Sequence, residues 1–327
     1  MQSYSKCNVD LYVEFLRASQ KQYSCTELER VSPDETMSHD SVTKWLNKRQ
    51  LPDSLIWNAV KDHAEEGDLI IDDTLADKPY ANEIELNKYQ YSGKHHGVAK
   101  GICLVTATWA NIHDEARLPF GFKVYDKEGD GKTKNDHFID MLDIAEARGL
   151  KPRYTQMDSW YASSKNLKAI AKKGWHFICQ LECNRHISLN DGETWVRIDE
   201  LELTNEQVTM VSLKGFGKVL VCKQVIKNGD IRYLATNDLR LMSWNKFTTF
   251  ADERWDIETM HRCLKQTCGL ERCYMRKAVA QVNHMICSFL AYAKFEIKRV
   301  EEGVSCYTQK WEIVRPAVKS YLQMTEA

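Results

Sequence analysis

Leu69-Ile70-Ile71-Asp72-Asp73-Thr74 is a short apolar run that ends in two acids, and it reads as the first strand of a sheet. Downstream, residues 101–109 and 118–125 supply two more apolar runs joined by modest loops, an antiparallel meander. Helix 135–148, strand 153–160, helix 163–173 and strand 176–181 follow. The order βββαβαβ predicts an α/β domain with a mixed sheet and helices on its faces. In a spatial order 3-2-1-4-5, the first and fourth strands are neighbours. Residues of about 182–235 are β-rich again, with turn signals at Asn190-Asp191-Gly192 and Asn228-Gly229, and read as an insertion. After Asp238 the pattern turns helical, over 252–267 and 274–298, with a helical tail.

Upstream, residues 1–66 read as short helices. Ser38 is a plausible N-cap for a helix anchored by Trp45 and Leu46. Lys44, Lys48 and Arg49 fall on its outer face, which suits the second helix of a helix-turn-helix meeting DNA. A small helical cap fits the same residues. The expected division is therefore an N-terminal helical region (1–66), a catalytic domain (67–270) and a C-terminal helical region (271–327).

The 327 residues carry 45 Lys+Arg against 46 Asp+Glu, with 43% hydrophobic residues, 15 Gly and 6 Pro. This composition excludes disorder and collagen-like repeats, and a net charge of -1 gives no global pull toward nucleic acid. The local balance differs, since residues 259–321 hold 11 Lys and Arg against 5 acids. Eleven scattered cysteines suggest a reducing cytoplasm, and the most apolar stretch is interrupted by polar residues, which argues against a membrane span.

Three acids fall where this sheet order would unite them: Asp73 on the first strand, Asp158 on the fourth and Glu258 on the helix after the inserted block. Clustered carboxylates repel one another, and divalent cations relieve that repulsion. Mg²⁺ takes oxygen ligands and leaves positions for water and phosphate, as two-metal phosphodiester chemistry requires. Around Glu258 a helix of 3.6 residues per turn sets Arg254, Glu258, His261, Arg262 and Lys265 on one face. Ile257, Met260 and Leu264 form the adjacent face.

Arg254-Trp255-Asp256-Ile257-Glu258, with Lys265 seven residues beyond the Glu, resembles the Y-R-E-K signature of DDE transposases of bacterial insertion sequences, the insertion-sequence-four group. Ile70-Ile71-Asp72-Asp73-Thr74 and Met157-Asp158-Ser159-Trp160-Tyr161 are similar to that family's two catalytic strands, and the likeness spans roughly residues 68–295. The signature's Tyr is replaced by Ala251, which removes one expected DNA contact. The resemblance favours Asp73, the acid directly before Thr, over Asp72.

The resemblance implies a ribonuclease H-like fold and metal-dependent cleavage at the element ends. The freed 3′-OH is then transferred into target DNA. Asp73, Asp158 and Glu258 would hold two Mg²⁺ ions, with Mn²⁺ able to substitute. Arg254, Lys265 and Arg262 would hold phosphates, and Trp244 or Trp195 would stack on a flipped base at a hairpin end. The implied partners are the terminal inverted repeats, target DNA and a second copy of the chain in the DNA complex, at the bacterial nucleoid. A nuclease that does not join ends, or an inactive DNA-binding protein, would share much of this pattern.

Other signals carry less. Asp126-Lys127-Glu128-Gly129-Asp130-Gly131 imitates a calcium loop, but His137 stands where the bidentate Glu belongs. Gly131-Lys132-Thr133 lacks the leading Gly of a P-loop. Cys179, Cys183 and His186 lack a second ligand pair for zinc, and His95 and His96 are left without an assigned role.

Overall fold

The computed structural model describes residues 6–93, 96–226 and 229–325, so His95 and Asn228 lie outside the described residues. Four helices lead the chain: α1 (Val9–Ala18), α2 (Cys25–Val31), α3 (His39–Lys48) and α4 (Ser54–Asn58). The sheet begins with β1 (Gly67–Asp77), β2 (Lys88–Ser92), β3 (Gly97–Asn111) and β4 (Arg117–Val124). Next come α5 (Lys127–Asp130), α6 (Lys134–Ala147), β5 (Thr155–Met157), α7 (Ser164–Lys172) and β6 (Phe177–Leu181). The β-rich block contains β7 (His186–Ser188), β8 (Val196–Arg197), β9 (Val208–Leu213), β10 (Gly217–Val225) and β11 (Ile231–Thr236). The chain ends with α8 (Trp244–Asp252), α9 (Trp255–Gln266), α10 (Ala278–Glu302) and α11 (Cys306–Thr325).

β1 occupies the middle of a mixed sheet, antiparallel to β3 and parallel to β5. β5 is in turn parallel to β6, and β4 pairs with β3, so the order expected for the five principal strands is present. β2, a short strand that the apolar pattern does not reveal, adds to the other part of β3. Through β11, which pairs with β6, the block β7–β10 continues the same sheet. The expected insertion therefore extends the central sheet, joined to it by backbone hydrogen bonds.

Side chains alternate across β1, so its apolar residues feed two cores. Leu69 and Ile71 pack with Phe138 and Leu142 of α6 and with Leu167 and Ile170 of α7. Ile70 and Ala76 enter a second core with Ile257, Met260 and Leu264 of α9 and with Phe289 of α10. Each fully buried Leu, Ile, Met or Phe side chain among these is worth about 1.5–3 kcal/mol relative to exposure.

The N-terminal helices share that second core through Tyr12, Phe15, Leu16, Val42 and Leu46. Ser38 caps α3 as its sequence suggests, its hydroxyl accepting from the Ser41 N–H at 3.3 Å. Gly269, with φ 69°, lets the α9–α10 loop pass against this region, since an added Cβ would stand 2.6 Å from the Tyr23 ring. Among the described residues, no helix is long and apolar enough to cross a membrane. All eleven cysteines are free.

Candidate active site

The two acids of β1 leave the strand on opposite faces. Asp73 follows the parity of Leu69 and Ile71, toward α6. Its Oδ2 accepts from Lys134 Nζ at 2.8 Å, and its Oδ1 accepts from the Tyr161 hydroxyl at 3.0 Å. A capping box of Thr133 and Asp136 fixes the start of α6, and so fixes Lys134 in its first turn. Asp72 follows the parity of Ile70, toward α9. It is 7% exposed, and its Oδ2 stands 3.1 Å from Arg254 Nη1 at the N-terminal end of α9.

Burial pushes the Asp72 carboxyl well above the usual carboxylate range, and the neighbouring charge of Asp158 adds to the rise while Arg254 opposes it. Asp158 stands one residue beyond β5, where the parallel register of Ile70 with Gln156 carries it alongside Asp72. Its Oδ1 accepts from the Tyr161 N–H at 3.1 Å. Burial raises its pKa, against lowering by the backbone N–H of Tyr161 and by Arg254.

Glu258 lies in the first turn of α9, on the face beside the apolar Ile257, Met260 and Leu264. The neighbouring His261 lowers its pKa in spite of burial, with Arg254 and Lys265 assisting. The two side chains are 3.7 Å apart. His261 is buried, which lowers its own pKa, and its Nε2 meets Thr106 Oγ1 at 2.7 Å. The sequence groups His261 with the charged face, whereas the structure tucks it under the sheet.

Asp72, Asp73, Asp158 and Glu258 all line one cavity of about 1340 Å³, together with Arg254, Arg262 and Lys265. Lys265 also faces Glu271 at 3.8 Å. Trp160 and Trp255, 51% and 56% exposed, stand in the cavity wall beside the acids. Lys134 Nζ lies 5.6 Å from the Trp160 ring centre. Among the described residues, no three His, Cys, Asp or Glu side chains converge closely enough to hold one ion.

Other residues singled out in the sequence stand apart from the acids. Trp244 sits on α8 and packs against a small core of Tyr154, Leu220 and Phe247, away from the acids. Trp195 is partly buried and lies close to the Gly192 turn. Lys44, Lys48 and Arg49 are exposed on α3 and its C-cap, apart from the cavity. His96 occupies a turn with φ 47°. Asp126 to Gly131 forms the short α5 and its left-handed cap instead of a calcium loop.

Lys134, Trp160 and Trp255 in the cavity wall, and the buried Tyr161 behind Asp73, are residues to which sequence reasoning gives no role. Three of them lie within the quoted motifs, but only exposure and contacts distinguish them from core aromatics. Lys134 has no local signal, because the fold alone carries α6 to β1.

Similarity to known proteins agrees with this geometry. No curated protein matches the chain. Among solved structures, the chain is similar to the cryo-EM structure of a piggyBac transposase synaptic complex with hairpin DNA. The TM-score is 0.52 at 12% sequence identity, over 97% of this chain and 72% of that one. At that identity the likeness describes the fold. Residues 63–294, from just before β1 through most of α10, match the family model described as the transposase DDE domain. Asp72, Asp73, Asp158 and Glu258 lie within this segment, which makes up most of the chain, and the chain belongs to the transposase DDE domain family.

Proposed function

We propose that this protein is an insertion-sequence transposase with a ribonuclease H-like catalytic domain of the insertion-sequence-four type. It cleaves DNA at the element ends and transfers the freed 3′-OH into target DNA. The observation that carries the reading is the convergence of acids from β1, β5 and α9 on one cavity with a basic side, in a chain of this family.

Asp72, Asp158 and Glu258 are the metal-holding acids in this reading. Asp72 replaces the sequence's choice of Asp73, because Asp72 leaves β1 toward α9 whereas Asp73 is engaged by Lys134 and Tyr161. The donor set fits a hard divalent cation. It offers carboxylate oxygens only, and the mutual repulsion of Asp72 and Asp158 is what such a cation relieves. When bound, two Mg²⁺ ions, or Mn²⁺ in their place, supply charge stabilisation at the attacking and leaving oxygens of the phosphodiester.

The chain's own residues bind and orient. Arg254, Arg262 and Lys265 hold backbone phosphates beside the acids. Trp160 and Trp255 take over the stacking role suggested for Trp244, since they are half-exposed in the cavity wall. Lys44, Lys48 and Arg49 on the exposed side of α3 hold flanking duplex, and the basic C-terminal region of 271–327 contacts DNA and a second copy of the chain. The site of action is the bacterial nucleoid.

The test is incubation of the purified protein with supercoiled plasmid and Mn²⁺ or Mg²⁺, beside Asp158→Ala and Glu258→Ala. Metal-dependent nicking lost in both variants, followed by joining of a pre-cut 3′-OH end to plasmid, is the expected result. Nicking that survives both substitutions overturns the assignment of the acids. Nicking without joining turns the reading to a nuclease.

A further inference from the structure

We infer that Arg254 is the resting counter-ion of the acid centre, and that a DNA phosphate must draw it off Asp72 before a divalent cation binds there. The inference rests on the reading of Asp72, Asp158 and Glu258 as metal ligands. It adds a coupling between DNA and metal that neither the family nor the residue pattern states.

The geometry is specific. Arg254 Nη1 stands 3.1 Å from Asp72 Oδ2, and the Asp72 side chain is only 10% exposed, so the guanidinium lies where that carboxylate would meet a metal. The other acids are engaged separately, Glu258 with His261 and Asp73 with Lys134. Each carboxylate has its own partner from the chain.

Arg254 is also placed to move. Its side chain is 26% exposed, and it borders both the large acid cavity and a second cavity of about 380 Å³. Its backbone caps α9 one turn before Glu258, so the side chain can swing while the helix keeps its position. A phosphate presents oxygens that match the guanidinium fork, often in two parallel hydrogen bonds. A guanidinium and a divalent cation repel at one carboxylate, so DNA that removes the first favours the second. By linkage, each of DNA and metal then raises affinity for the other.

The experiment is a Mn²⁺ titration followed by electron paramagnetic resonance on the full chain without DNA. Wild type is compared with R254Q, R254K, D158N and R254Q/D158N, with melting curves to verify folding. R254Q is expected to bind Mn²⁺ roughly tenfold tighter than wild type, R254K to match wild type, and R254Q/D158N to lose the gain. Adding a saturating 40-base-pair duplex to wild type should raise Mn²⁺ affinity by a similar factor, a readout that needs no variant.

Equal or weaker Mn²⁺ binding by R254Q, with no rise on adding duplex to wild type, overturns the counter-ion role. In that case binding that still depends on Asp158 leaves the metal-site reading standing. Mn²⁺ binding indifferent to D158N in both backgrounds overturns that reading itself.

Discussion

Two buried polar clusters lie on the α9–α10 side of the sheet, and they treat their polar groups in opposite ways. In the second turn of α10, Asn283 donates to the carbonyls of Leu46 and Arg49 at 2.8 and 2.9 Å and accepts from the Leu51 N–H at 2.8 Å. His284 Nε2 donates to the Gly269 carbonyl at 2.8 Å, which leaves Nδ1 to accept from the Tyr12 hydroxyl at 3.0 Å. Neutral groups meet complementary partners, and every bond to Asn283, with that from Tyr12, ties an N-terminal segment to α10. At the other cluster, the buried Asp72 and half-buried Asp158 set two like charges side by side, with Arg254 opposing their repulsion only in part. The first arrangement stabilises the fold, whereas the second costs stability and is the signature of a site kept for binding or chemistry.

The sharpest separation comes from exchanging the charge of one acid. Asp158→Asn should lower metal-dependent nicking on the order of 10³-fold, as expected when a charge acting in the transition state is lost, while the melting temperature holds or rises. A fall in stability without loss of nicking would place Asp158 with the structural cluster. Asp72→Asn should match that loss of activity, whereas Asp73→Asn should retain nicking within about tenfold and cost about 1–3 kcal/mol through the stranded Lys134 and Tyr161. Denaturant unfolding and plasmid nicking together read both effects.

Asn283→Ala inverts the pattern. It strands two carbonyls and one N–H, so a loss of about 3 kcal/mol in denaturant unfolding is expected. The folded fraction should nick plasmid at the wild-type rate.

A pH series tests the neutral character of the same cluster. Burial lowers the His284 pKa to about 4, below the roughly 6.5 of an unfolded histidine. Between these values the unfolded chain binds the additional proton, so stability falls as the pH drops through this window. At pH 5 the loss relative to pH 7 is about 2 kcal/mol. Comparison with His284→Gln isolates this contribution, and a wild-type stability as steep as the variant's would remove His284 as its source.

The smallest effect belongs to α3. Replacing Lys44, Lys48 and Arg49 together with Gln should leave stability within about 0.5 kcal/mol. It should also flatten the salt dependence of duplex binding by about 0.9 per lost phosphate contact. An unchanged slope would assign α3 to the structural side of the comparison, as a helical cap.

Much of this was legible in the residues. The run Leu69 to Thr74 shows the central strand because burial on both faces demands consecutive apolar residues. Arg254, Glu258 and Lys265 show their common helix face because 3.6 residues per turn is a local property. Ser38 shows the start of α3 because a helix N-terminus needs a local acceptor.

The remainder depended on long-range pairing. Which of Asp72 and Asp73 faces Glu258 follows from the side of the sheet on which α9 packs, and a shift of one residue would exchange them. Lys134 joins the site from a helix distant in sequence, and His261 finds its Thr106 partner on a distant strand. Trp244 enters the small core over the extended sheet, and the N-terminal helices join α10 in one core, because the apolar faces of separate segments are buried against one another. Sequence by itself determined the local periodicities and the chemistry available. The tertiary structure decided which carboxylates share a face and which cation stands between them, because side-chain direction is set by strand register and helix packing between segments that no local pattern connects.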